Sequence, residues 1–122
     1  MAIQNIFVVG AGLMGSGIAQ NAITSGFDVT LNDKQQAAVE RAQVVIKKAL
    51  AREVSKGRMT QEAMDEALTH LTVDSGMEGA KKADLVIEAI YENLEAKQAV
   101  FTELEDLCPA KTIFASNTSS IS

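Results

Sequence analysis

Tryptophan is absent from this chain, and aromatic residues make up only 4% of it. A platform for stacking nucleic-acid bases is therefore excluded. Positive charge is scarce as well. Eleven Lys and Arg residues stand against sixteen Asp and Glu, a formal net charge of −5. That is the wrong sign for a surface that follows phosphate backbones, so nucleic acid is not an expected partner. The single cysteine, Cys108, rules out an internal disulfide framework and cannot by itself make a Cys-rich metal site. Next to Pro109 at a helix end, it reads as a small packed apolar residue. No metal site is expected. No apolar run approaches the roughly 20 residues that cross a bilayer. The apolar start from Ile3 to Val9 is too short for a signal peptide and lacks a basic flank. No membrane partner is expected, and the cytoplasm is the default compartment. One histidine is present, His70, and it suits the end of a helix, where the helix dipole favours it.

What is there is globular. The 122 residues suffice for one domain with one core. Hydrophobic residues account for 47% and charged ones for 22%, a balance that buries a core and does not suit a disordered chain.

Short apolar runs alternate with longer helical patterns. Ile6, Phe7, Val8 and Val9 run into Gly10, as a strand buried on both faces would. Met14, Ile18 and Ala22 then recur every four residues, with Ala19 and Ile23 beside them, and Gly26 stops the helix. Phe27, Val29 and Leu31 alternate as a second strand that Asp33 ends. From Gln35 to Lys56 a helix carries Ala38, Ala42, Val45 and Ala49 on one side, and Gly57 breaks it. Met64, Ala67, Leu68 and Leu71 form a shorter stripe after Thr60, so the two segments read as a helical hairpin. Leu71 to Val73 is a weak strand. Ser75 with Glu78 three residues later matches a capping box and predicts a short helix. Leu85 to Ile87 is the fourth strand. A helix with Ala96, Val100, Leu104 and Leu107 on one face follows Glu92 and ends at Pro109. Thr112 to Ala115 is the fifth strand. Such alternation predicts the α/β class, with a doubly wound parallel sheet and helices on both faces. One domain spans residues 1–122, with the hairpin as an insertion and the sheet incomplete at its C-terminal end.

Gly10-Ala11-Gly12-Leu13-Met14-Gly15 matches G-x-G-x-x-G. Among eight glycines the match alone says little, but its context is specific: it follows an apolar strand and opens a helix, as a dinucleotide-binding turn does. The fold class is therefore Rossmann-type. Gly10 permits the tight turn, Gly12 leaves room for a pyrophosphate, and Gly15 lets helix and strand pack closely. The helix N-terminus adds unpaired N–H donors and partial positive charge. Asp33 lies 18 residues after Gly15, at the end of the second strand, where an acid accepts hydrogen bonds from the adenosine ribose. A carboxylate there repels a 2′-phosphate, so NAD is favoured over NADP. Two alternatives stay open. Asp33 followed by Gln36 also fits a helix cap, which is compatible with ribose binding. Lys34 beside the acid is able to accommodate a phosphate, which keeps NADP in play.

Two later segments sharpen the reading. Val86-Ile87-Glu88-Ala89-Ile90-Tyr91-Glu92-Asn93 follows the fourth strand, and Ala115-Ser116-Asn117-Thr118-Ser119-Ser120 follows the fifth. With the glycine loop, they closely resemble the 3-hydroxyacyl-CoA dehydrogenase family, nearest to the short bacterial 3-hydroxybutyryl-CoA dehydrogenases. The resemblance covers essentially the whole chain. It implies NAD-dependent oxidation of a (3S)-3-hydroxyacyl-CoA to the 3-ketoacyl-CoA, or the reverse, in fatty-acid and butanoate metabolism. Acetoacetyl-CoA would then be a substrate. It further implies that Glu92 and Lys97 approach the cofactor, that Asn117 lies beside the nicotinamide, and that Ser119 orients the substrate's 3-oxygen. Lys56 corresponds to a hairpin lysine that touches CoA. Ala49 stands where the family has a serine that also contacts CoA, a departure that weakens the CoA assignment in the hairpin.

The family's catalytic histidine and its partner glutamate follow the fifth strand, and neither is present here. Its C-terminal helical domain, which forms homodimers, is also absent. The resemblance therefore implies that the chain is the cofactor-binding, amino-terminal part of a longer enzyme, inactive alone. The alternative is an NAD(H)-binding module without catalysis. A sensor domain of potassium-channel-regulator type shares the turn, but it has no use for a substrate-orienting serine.

Overall fold

The computed structural model describes residues 2–90 and 94–116. Its elements run β1 (Asn5–Val9), α1 (Leu13–Thr24), β2 (Asp28–Asn32), α2 (Gln36–Ser55), α3 (Gln61–Thr69), β3 (Leu71–Asp74), a 3-10 turn (Glu78–Lys82), β4 (Leu85–Glu88), α4 (Leu94–Leu107) and β5 (Ile113–Ser116). The five strands form one sheet in the order β3-β2-β1-β4-β5, and every neighbouring pair is parallel. The order reverses at β1. Chain segments leave β1 toward β2 and return on its other side as β4, which opens a crevice at the carboxyl ends of these two strands.

Alternation along the strands builds two apolar layers. Ile6 and Val8 of β1 point to the same side as Val29 and Leu31 of β2, where α1, α2 and α3 cover them with Ala19, Ile23, Val39, Ile46, Leu50 and Ala67. Phe7 and Val9 point the other way and meet Val86 of β4, Ala80 of the 3-10 turn, Ala83 just after it, and Leu104 of α4. Phe7, Val8 and Leu31 are fully buried. The central strands are therefore apolar on both faces, as the continuous run at residues 6–9 predicts. Cys108 packs against the second layer, and burial raises its thiol pKa.

Most helix ends follow their local signals. Gly26 (φ 94°) and Gly57 (φ 73°) take the left-handed conformation just past α1 and α2. The Thr60 side chain accepts the Ala63 N–H at 3.0 Å and caps α3. Ser75 departs from its signal. Its predicted capping box does not form. The short helix is a 3-10 turn that starts at Glu78, and no side chain caps it. Asp74 makes the local bond, accepting the Gly76 N–H at 2.9 Å. Asn32 on β2 takes the remaining carbonyls, donating to Asp74 O at 3.1 Å and Gly76 O at 2.6 Å. A neighbouring strand thus dictates the shape of this loop. The fifth strand also lies one residue later than Thr112 to Ala115. Thr112 instead donates its hydroxyl to Ala83 O at 2.7 Å and leads into the strand.

Candidate functional site

The glycine loop joins β1 to α1 directly over the crevice. Gly10 has φ 106° and donates its N–H to Asn32 O at 2.7 Å, so the turn begins tied to β2. A Cβ at Gly10 would stand 2.5 Å from the Ala89 carbonyl oxygen, and one at Gly15 would collide with the Gly10 carbonyl. These two glycines are required by close backbone approach. Gly12 differs. A Cβ there would meet nothing within 4 Å, so its face opens outward. Gly12 is also the N-cap of α1, without a side-chain cap and with no acidic residue in the first turn. The positive end of the helix is left facing the opening, which suits an anion. Ala11 is buried and Leu13 is 87% exposed. Met14 is half-buried, and Gly15 and Ser16 pack inward.

A cavity of about 950 Å³ lies along the carboxyl ends of the strands. The glycine loop, Asp33, Gly76 and Met77, and the α4 residues Val100 and Leu107 form its walls. That volume lies within the range of ligand pockets. Asp33 stands on the wall between loop and cavity. One carboxylate oxygen accepts the Ala11 N–H at 3.0 Å, and the other accepts the Gln35 N–H at 3.0 Å. The predicted cap with Gln36 is not formed. Gln35 is the N-cap of α2, without a side-chain bond, and Gln36 bonds Glu40 instead. Each Asp33 oxygen has further lone-pair capacity, so the acid is able to accept ligand hydroxyls as well. An open face at Gly12, an uncapped helix N-terminus and an accepting carboxylate on the same cavity fit a dinucleotide.

Lys97 is placed differently from a surface lysine. It is 4% exposed, and its Nζ lies 3.6 Å from the Glu88 carboxylate, itself 0% exposed. Glu88 also accepts the Ile90 N–H at 2.5 Å and the Ser116 hydroxyl at 2.6 Å. An ion pair at 3.6 Å is longer than a hydrogen bond, so the lysine's donors are not spent on Glu88. Glu88 and Asn32 are the site-building residues that sequence reasoning missed. Each terminates an apolar strand and reads there as a strand-ending polar residue. Only the parallel register, which sets Val9 between Asn32 and Glu88, reveals that both end in the crevice.

Three predicted site residues, Glu92, Asn117 and Ser119, lie outside the described residues. Lys56 is exposed at the C-cap of α2. The helix rises about 1.5 Å per residue, which puts Lys56 roughly 30 Å along the axis from its start near Asp33. It is not gathered into the cavity. His70 is the C-cap of α3 and precedes β3, at the amino edge of the sheet. Its Nδ1 lies 2.7 Å from Asp28 and its Nε2 3.1 Å from Glu66. Among the described residues no helix is long and apolar enough to cross a membrane.

Comparison with known proteins agrees with this geometry. A family profile described as "3-hydroxyacyl-CoA dehydrogenase, NAD binding domain" matches residues 5–122. A probable 3-hydroxybutyryl-CoA dehydrogenase of Bacillus subtilis is 45% identical over 121 residues, covering 99% of this chain and 42% of that protein. The crystal structure of a 3-hydroxybutyryl-CoA dehydrogenase from Escherichia coli superposes with a TM-score of 0.95 at 39% identity, covering 100% of this chain and 26% of that one. The (S)-3-hydroxybutyryl-CoA dehydrogenase of Ralstonia eutropha gives a TM-score of 0.93 at 34% identity, over 99% of this chain and 43% of that one. The chain thus spans less than half the length of the relatives it matches.

Proposed function

Since the chain belongs to the family of 3-hydroxyacyl-CoA dehydrogenase NAD-binding domains, we propose that its protein interconverts a (3S)-3-hydroxyacyl-CoA and the 3-ketoacyl-CoA with NAD. The observation that carries this reading is the crevice itself, where the outward-facing Gly12, the uncapped start of α1 and Asp33 share one cavity.

Each part has a role in the proposal. The loop from Gly10 to Gly15 holds the pyrophosphate against the amino end of α1, where backbone N–H groups and the helix dipole offset its charge. Ala11, Leu13 and Met14 contribute backbone to that wall. Asp33 accepts the adenosine ribose hydroxyls while keeping the glycine loop in place. The second half of the dinucleotide crosses to the β4 side, because the sheet order reverses between β1 and β4. Lys97 and Glu92 serve that half, with Asn117 beside the nicotinamide. Ser119 orients the substrate's 3-oxygen by a hydrogen bond. The bound nicotinamide would supply the acceptor for a hydride from C3 of the substrate.

The hydroxyl proton must leave at the same time, to a base whose pKa is near neutrality. His70 is not placed for this. It is engaged with Asp28 and Glu66 at the amino edge, about one strand length from the crevice, roughly 15 Å. We assign the base to the larger part of the relatives' length that residues 1–122 do not span. Lys56 is proposed as a CoA contact on the exposed hairpin. A homodimer and a cytoplasmic location complete the reading.

The test is the NADH-dependent reduction of acetoacetyl-CoA by the full-length protein. Turnover is the expected result. NADH binding without turnover would reduce the protein to a cofactor-binding module, and absence of NADH binding would remove the cofactor reading altogether.

A further inference from the structure

Glu88 is a carboxylate where an apolar side chain would be cheaper. It points to the same side of the sheet as Phe7, Val9 and Val86, and it is 0% exposed. A buried carboxylate is tolerated only when it is paired and hydrogen-bonded. Glu88 meets that condition through three partners, and they come from three different segments. Ile90 N–H donates to Oε2 at 2.5 Å, from the backbone just after β4. Ser116 Oγ donates to Oε1 at 2.6 Å, from the last residue of β5. Lys97 Nζ approaches Oε2 to 3.6 Å, from the first turns of α4. All three lie at the carboxyl edge on the β4 side of the crevice. Two of the segments run on directly to residues 91–93 and 117.

From this arrangement we propose that Glu88 is a positioning residue for the nicotinamide half of the cofactor site. It holds the Lys97 ammonium in place and fixes the carboxyl end of β5. The inference rests on the NAD reading of the crevice. Its physical logic is charge and reach. A glutamate at this register is long enough to span from β4 to both β5 and α4, and its carboxylate lies 3.6 Å from an otherwise buried ammonium. The adenosine half, around Asp33 and the loop at residues 75–78, shares none of these contacts. A fault at Glu88 should therefore act on one half of the site alone.

Two probes separate the halves. ADP occupies the pyrophosphate and adenosine side, and NADH occupies both. The dissociation constants of each are measured for the full-length protein and for Glu88→Gln, which keeps the size and an accepting carbonyl but removes the charge. The expected result is a rise of about tenfold in the NADH constant, with ADP binding unchanged. Ser116→Ala removes one arm only and should raise the NADH constant by roughly threefold, again sparing ADP. If Glu88→Gln fails to fold, shown by loss of ADP binding, Ser116→Ala carries the test. An unchanged ratio of NADH to ADP affinity in the folded variants overturns the proposal, even if the melting temperature falls, because burial alone then explains Glu88. Failure of the wild-type protein to bind NADH overturns the cofactor reading and this inference with it, whereas an unchanged ratio overturns this inference alone.

Discussion

Asp33 and Ala11 are bonded at the carboxyl ends of β1 and β2: the carboxylate just past β2 accepts the second amide of the glycine loop at 3.0 Å. The acid and the loop therefore form one unit, and displacing either displaces the other. The same carboxylate accepts the Gln35 N–H, which sets the direction in which α2 leaves the sheet. Strand end, phosphate loop and helix start are thus referred to a single side chain on the cavity wall.

The glycines of the loop should separate by experiment. Gly15→Ala places a methyl group against the Gly10 carbonyl, which is backbone and has little room to yield. Overpacking of this kind costs about 1–3 kcal/mol, more than the roughly 1 kcal/mol that alanine gains in a helix. The melting temperature should fall. Gly12→Ala meets nothing in the protein, so stability should hold while NADH affinity drops. Thermal unfolding together with an NADH titration reads both, and a Gly12→Ala protein that binds NADH normally would remove the pyrophosphate from this face.

Asn32 should matter for binding without touching the ligand. Its amide holds the carbonyls of Asp74 and Gly76 and so shapes the loop that lines the cavity. Asn32→Ala leaves two carbonyls without their donor, at a cost of about 1–3 kcal/mol. If the whole cost falls on the bound form, NADH affinity should weaken by roughly five- to 150-fold in isothermal titration, since 1.4 kcal/mol is about tenfold. Unchanged affinity would mean that the loop keeps its shape unaided.

How much of this was legible in the sequence depends on the range of the interaction. The glycine loop, the helical stripe after Thr60 and the strand at residues 6–9 are local patterns, and each formed where its residues place it. Ser75 misled because the deciding partner, Asn32, is on another strand. Asp33 misled in part: its local bond goes to the Gln35 N–H in place of Gln36, and its other oxygen takes an amide of the glycine loop. Glu88 reads as an ordinary strand-ending charge because burial is a property of the register between strands, and Lys97 is singled out only through the family resemblance. The pairing of Glu88 with Ser116 cannot be read before β5 is aligned on β4.

Stability should depend on pH through the His70–Asp28 pair. The hydrogen bond to Asp28 raises the His70 pKa against the opposing effect of burial, and Glu66 adds to the rise. Asp28 is lowered, first by the hydrogen bond from His70 and then by that from Gln4. A raised histidine contributes stability that is complete below its unfolded value of about 6.5 and is lost as pH rises through the folded pKa. A lowered aspartate contributes above its unfolded value of about 3.9 and is lost as pH falls through the folded one. The pair therefore contributes most between about pH 4 and pH 6.5. The loss in melting temperature on His70→Gln should be larger near pH 6 than near pH 9, to be followed by differential scanning fluorimetry. Equal losses at both would show that the histidine acts through packing and not through charge.

The most direct test of the account is the ratio of NADH to NADPH affinity, measured by fluorescence titration for the wild-type protein and for Asp33→Ala. The Asp33 carboxylate on the cavity wall should disfavour a 2′-phosphate by about 1–3 kcal/mol, roughly ten- to a hundredfold in affinity. The wild type should prefer NADH by that margin, and Asp33→Ala should narrow it. Equal affinity for the two cofactors in the wild type would contradict the account. So would a ratio that Asp33→Ala leaves unchanged while the melting temperature drops, because Asp33 would then serve only to tie the glycine loop to β2.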